Sequence, residues 1–120
     1  MYEVILKGEI ASAHFLRGYP GKCKDIHGHT WKIDVYLAGE KLDALGMLQD
    51  FAVLKVKLKD FLDTLDHKNL NELSMFAQEN PTAENIARHI FFQFQKSVAP
   101  LKVSKVTVWE SDKAGVSYYE

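Results

Sequence analysis

The residues best able to do chemistry in this chain fall in three places: His14, the run Cys23-Lys24-Asp25-Ile26-His27-Gly28-His29, and the pair Asp66-His67. His27 and His29 open a stretch of strict alternation, so both imidazoles point to one side, the side that also carries Trp31, Ile33 and Val35. Two imidazoles on a core-facing surface are costly unless something satisfies their ring nitrogens. A metal does so, and neutral imidazole is a common zinc ligand. Gly28 between them lets another backbone or a substrate come close. His14, near the end of the preceding strand, can lie across from them and complete a three-histidine site. Three protein ligands leave the fourth position of a tetrahedral ion open, which marks a catalytic zinc. Taken alone, His-Gly-His reads equally well as a turn with two hydrogen-bonded histidines. His14 and Cys23 close by in sequence shift the balance to a metal.

Cys23 lies in a polar, glycine-containing loop, flanked by Lys22 and Lys24. A free cysteine is ordinarily a small buried hydrophobe. Here adjacent cations and a nearby metal would favour the thiolate, which suits a general base. As a fourth metal ligand it would close the site, so that role is not assigned to it. In Asp66-His67 a carboxylate can orient an imidazole and set its tautomer; by itself the pair also reads as a helix end where His67 meets the dipole. Glu110 shares strand parity with Val106 and Val108 and so ends an apolar face with a carboxylate. Such a group needs donors: either a lysine at the strand end, or the adjacent N–H groups of a 2-amino-4-oxopyrimidine ring. His89 falls off the apolar stripe of its helix and reads as a surface or interface residue.

The elements that must position these groups follow from periodicity. Tyr2–Phe15 is β-branched and reads as a strand; Arg17–Asp25, with two glycines and a proline, is a loop. From His27 to Leu37 the alternation gives a second strand with one polar and one apolar face. Gly39–Gly46 is a turn region, and Asp50 caps a helix whose stripe is Phe51, Leu54, Leu58, Phe61, Leu62 and Leu65. Thr82 caps a second helix, with Glu84 at the positive end of its dipole and Ala83, Ile86, Ala87, Ile90, Phe91 and Phe94 as its stripe. Pro100 ends that helix. Strands Lys102–Glu110 and Val116–Tyr119, joined by Ser111–Gly115, complete the order. Strand, strand, helix, helix, strand, strand predicts an α+β domain, a four-stranded antiparallel sheet with helices on one face. The sheet's second face would need cover, which predicts an oligomer.

Composition narrows the function class. The 120 residues suit one domain, 1–120, and 47% apolar with 26% charged residues is globular rather than disordered. The net charge of −1 and the absence of a basic run disfavour nucleic-acid binding. No apolar stretch approaches the roughly 20 residues that span a bilayer. The N-terminus lacks signal-peptide features, and a single cysteine cannot form an intramolecular disulfide, so a cytoplasmic location is expected.

Taken together, His14, the Cys-x-x-x-His-Gly-His segment, Asp66-His67, Pro81-Thr82-Ala83-Glu84-Asn85 and Val108-Trp109-Glu110 closely resemble the 6-pyruvoyl-tetrahydropterin synthase family, from the first strand to the last. The resemblance implies the tunnelling fold, two helices inserted between the halves of the sheet, assembled as a homo-oligomer, typically a hexamer, with sites at subunit boundaries. It implies that His14, His27 and His29 bind Zn2+, and that Cys23, Asp66 and His67 form a proton-transfer set that neighbouring subunits can share. Glu110 would anchor the pterin, with Thr82 as a further candidate substrate contact. The three-residue gap between Cys23 and His27 is similar to the prokaryotic 6-carboxy-tetrahydropterin synthase branch, which feeds queuosine and other 7-deazapurines. That implies a lyase acting on dihydroneopterin triphosphate; the triphosphate needs positive charge, and by location alone Arg17, Lys22 and Lys24 are the candidates. The alternatives are a pyruvoyl-forming or sepiapterin-using enzyme, or a non-catalytic zinc or pterin-binding assembly subunit.

Overall fold

The computed structural model describes residues 1–120. Two thirteen-residue strands, β1 (Tyr2–His14) and β2 (His27–Gly39), pair antiparallel along their whole length, from Tyr2 opposite Gly39 to His14 opposite His27. β3 (Lys102–Ser111) adds to the far side of β2, with Lys32 opposite Trp109, and β4 (Ala114–Tyr118) closes the order β1-β2-β3-β4. Between β2 and β3 the chain forms α1 (Phe51–Asp63) and α2 (Ala83–Val98), joined by a segment with two short 3-10 turns. Asp50 caps α1 by accepting from the Ala52 N–H at 2.8 Å, and Thr82 caps α2 by accepting from the Asn85 N–H at 3.1 Å.

Alternation decides the two faces of the sheet. Ile10, Trp31, Ile33, Val35, Leu37, Val106 and Val108 point to the helices and are buried against Leu54, Leu58 and Leu62 of α1 and Ile86, Ile90 and Phe94 of α2. The α1 stripe is narrower than its spacing suggests. Phe51, at the first helical position, is 59% exposed and flanks Tyr2, Val4 and Met47 along a shallow groove. Leu65 is buried although the helix has already ended.

The other face is mixed. It carries exposed Lys7, Glu9, Thr30 and Lys32 beside Ile5, which is 52% exposed, Tyr36 and Trp109. Its one buried carboxylate, Asp34, pairs with Lys7 at 3.1 Å and accepts from the Trp109 indole at 3.2 Å. What lacks partners is the edges: β4 has no strand beyond it, and only Ala11–Ala13 of β1 are covered, by the segment after α1.

Candidate metal centre

The β1–β2 register brings the histidines together. His14 lies directly opposite His27 and Ser12 opposite His29, so all three imidazoles leave the sheet on the inner face at its open end. Trp31, fully buried, forms the floor, its ring centroid 4.8 Å from that of His14 and 5.0 Å from that of His29. Glu110, at the end of β3, joins from the side. One ligand-type atom from each of His14, His27, His29 and Glu110 lies within 4.8 Å of all the others. Ligands of a tetrahedral ion bound at about 2.0–2.1 Å sit roughly 3.4 Å apart, so the spread suits a single ion.

The hydrogen bonds around the rings supply the stricter test. His14 Nδ1 contacts the buried Pro81 carbonyl at 2.7 Å, and His27 Nδ1 contacts the Asp25 carbonyl at 2.8 Å. A carbonyl only accepts, so each Nδ1 carries the hydrogen and each Nε2 is left with a lone pair. Those two Nε2 atoms face each other at 3.0 Å. His29 Nε2 is buried without a hydrogen-bond partner; Glu110 Oε1 lies 3.2 Å away, within ion-pair range but outside hydrogen-bond geometry. Lone pairs converging on one point, with an orphaned ring nitrogen beside them, fit a divalent cation and little else. Burial holds the His14 and His29 rings below the usual histidine range, which keeps them neutral, the form that ligates.

The remaining residues singled out from the sequence separate into two groups. Cys23 sits half-buried in a short 3-10 turn, Lys22–Lys24, anchored by its carbonyl to the Leu16 N–H at 2.7 Å; its thiol is outside the converging group. Asp66 and His67 line the outer edge of β1. Asp66 accepts from the Ala11 N–H at 2.7 Å, the His67 N–H donates to the Ala11 carbonyl at 2.7 Å, and His67 Nδ1 lies 2.9 Å from Asp66 Oδ2. The Ala11 N–H, and then the His67 ring, hold the Asp66 carboxyl below its ordinary range, so it stays ionised and orients the imidazole. His67 takes a left-handed backbone, φ +55°, and its side chain is 81% exposed. Histidine is among the few non-glycine residue types enriched in that conformation.

Three expectations need correcting. Arg17 is no free cation for a phosphate: its guanidinium donates to the carbonyls of Phe76, Glu79 and Asn71. His89 is half-buried rather than a surface residue, bonded to Glu79 and packed edge-on against Phe76. Glu110 meets no lysine; its partner is His29. The sequence reading missed Pro81, whose carbonyl orients His14, because a backbone acceptor leaves no trace in residue type.

Comparison with known proteins agrees with this architecture. The family model for 6-pyruvoyl tetrahydropterin synthase matches residues 3–120. A 6-carboxy-5,6,7,8-tetrahydropterin synthase of Synechocystis sp. is 32% identical over 124 residues, covering 99% of this chain and 94% of the relative. A dihydroneopterin monophosphate aldolase of Pyrococcus furiosus is 31% identical over 114 residues, covering 94% and 93%. The solved structure of Caenorhabditis elegans 6-pyruvoyl tetrahydropterin synthase superposes with a TM-score of 0.85 at 29% identity, covering 100% of this chain and 97% of that one. The four-stranded antiparallel sheet with its two inserted helices is therefore the tunnelling fold, and the chain belongs to the 6-pyruvoyl tetrahydropterin synthase family.

Proposed function

We propose that this chain is a zinc-dependent 6-carboxy-5,6,7,8-tetrahydropterin synthase. With one water, it converts 7,8-dihydroneopterin triphosphate to 6-carboxytetrahydropterin, releasing acetaldehyde and triphosphate, on the way to queuosine and related 7-deazapurines. The observation that carries the metal-dependent part is the convergence of His14, His27 and His29 on one point, with the Nε2 lone pairs of His14 and His27 left free by their Nδ1 contacts and the His29 Nε2 without a hydrogen-bond partner. Relatives of nearly equal identity bear different activity names, so the choice of product rests on the short gap from Cys23 to His27.

The residues divide the work. Bound by the three imidazoles, zinc would hold and acidify the side-chain hydroxyls of the substrate. Glu110, whose side chain is 38% exposed at the rim, grips the adjacent N–H groups of the pterin ring. The Thr82 hydroxyl accepts its cap bond yet keeps its own hydrogen to donate to substrate. Cys23 takes a proton from the side chain as general base, and His67, oriented by Asp66, returns or shuttles it. Exposed Lys22 and Lys24 remain for the triphosphate. Carbon–carbon cleavage oxidises the side chain while the ring is reduced, so electrons balance without a redox cofactor.

Homo-oligomer assembly follows from the open edges of β1 and β4, and a hexamer with sites at subunit boundaries would let His67 of one copy serve the metal centre of another. A purely binding subunit has no use for both a thiol and an oriented Asp–His pair. Incubation of the purified protein with 7,8-dihydroneopterin triphosphate and zinc should release acetaldehyde in step with triphosphate. Triphosphate without acetaldehyde would turn the assignment to the pyruvoyl product, and side-chain cleavage that leaves a hydroxymethyl pterin would turn it to an aldolase.

A further inference from the structure

The chain leaving β1 immediately after His14 is held in an unusual way. Asn71, buried, accepts from the Phe15 N–H at 2.8 Å and donates to the Phe15 carbonyl at 3.0 Å. Two residues on, Asn80 repeats the pattern, accepting from the Arg17 N–H at 2.8 Å and donating to the Arg17 carbonyl at 3.0 Å. Each side-chain amide thus acts as a one-residue strand partner. Asn80 adjoins Pro81, whose carbonyl takes the His14 Nδ1 hydrogen. Its own carbonyl accepts from the Asn85 side chain at 2.8 Å, which fixes it to the first turn of α2. The Arg17 guanidinium closes the bracket on the carbonyls of Phe76 and Glu79.

This arrangement has a chemical purpose that packing alone does not explain. A ring nitrogen directed at a metal needs its partner nitrogen pinned, since that bond sets both tautomer and ring orientation. For His14 the pin is a carbonyl on a segment distant in sequence, so its distance depends on what ties that segment to the end of β1. We infer that Asn80, together with Asn71, is a positioning residue of the metal centre: by gripping the backbone after His14, it holds the ring on the Pro81 carbonyl and keeps Nε2 aimed at the ion. This inference rests on the metal-centre reading above.

The chain contains its own control. Gln95 makes a comparable two-way bracket elsewhere, spanning two residues: it donates to the Leu101 carbonyl at 2.8 Å and accepts from the Val103 N–H at 2.8 Å, near the other end of α2. Zinc affinity, measured by chelator competition, and the visible absorption of the cobalt-substituted protein are compared for the native chain, Asn80→Ala, Asn80→Asp and Gln95→Ala. Asn80→Ala should bind zinc about 10- to 100-fold more weakly and alter the cobalt bands. Asn80→Asp, which keeps the acceptor for the Arg17 N–H, should fall between, and it carries the test if the alanine variant does not fold. Gln95→Ala should lose thermal stability while retaining native affinity and spectrum. Native metal binding in both Asn80 variants, or equal weakening in Gln95→Ala, would overturn the inference while leaving the metal centre standing. A native chain that takes up no zinc or cobalt would instead overturn the metal centre, and the inference with it.

Discussion

Two ends of the same strand pair carry the chemistry in opposite styles. At the open end of the inner face, His14, His27 and His29 are buried or half-buried, the first two braced by carbonyls, and all three come from one chain. At the outer edge of β1, Asp66 and His67 form an equally well-oriented pair, yet His67 is displayed to solvent and belongs to no converging group. In the proposed reading, the first region supplies ligands for an ion and the second an acid–base pair for a substrate. One chain then provides all three imidazoles, while Asp66–His67 would meet a target only where another surface reaches the edge of β1.

That contrast can be broken at either end. The largest effect is expected from His27→Ala, which should take metal content from one ion per chain to none, read by elemental analysis; retained stoichiometric zinc would refute the ligand set. Cys23→Ala should keep the ion and the assembly while turnover drops by about 100- to 10,000-fold, the range for losing a general base. His67→Ala should behave alike, with native metal content. Mixing Cys23→Ala chains with His67→Ala chains then sharpens the comparison: if the outer edge serves a neighbour, mixed assemblies recover part of the native rate, and separate ones do not. The smallest effect concerns Asp66→Asn. The folded state holds the Asp66 carboxyl below its ordinary 3.8, so its contribution to stability is present above that pH and lost as pH falls through the folded value. Melting curves should show the native chain ahead of Asp66→Asn at neutral pH, with the gap closing in acid.

The clustering of the three histidines was largely legible because a strand's period of two is unforgiving. His27 and His29 share parity with Trp31, and whole-length pairing of β1 with β2 then forces His14 opposite His27. Parity also placed Glu110 on the inner face. Its closeness to His29 was not legible, since that depends on the β2–β3 register, which shifts near Tyr36 and Leu37. The stretch between His67 and Asn80 was silent for a different reason. It has neither helical nor strand periodicity, and its order comes from side chains that mimic backbone, Asn71 and Asn80, and from Arg17 on three carbonyls. Residue type alone cannot separate such an arginine from one waiting for a phosphate. The alternation that predicts an apolar face of the sheet also supplies a second, mixed one, whereas the open edges at β1 and β4 follow from strand order and are not written in residue type.

The central claim is that imidazoles from positions 14, 27 and 29 share one divalent ion with a position left open for substrate. X-ray absorption at the zinc edge of the purified protein measures this directly. The account predicts three nitrogen neighbours with imidazole scattering at about 2.0–2.1 Å, joined by an oxygen. A sulfur neighbour at about 2.3 Å would make Cys23 a ligand and contradict its role as a base, and fewer than three imidazoles would contradict the site itself.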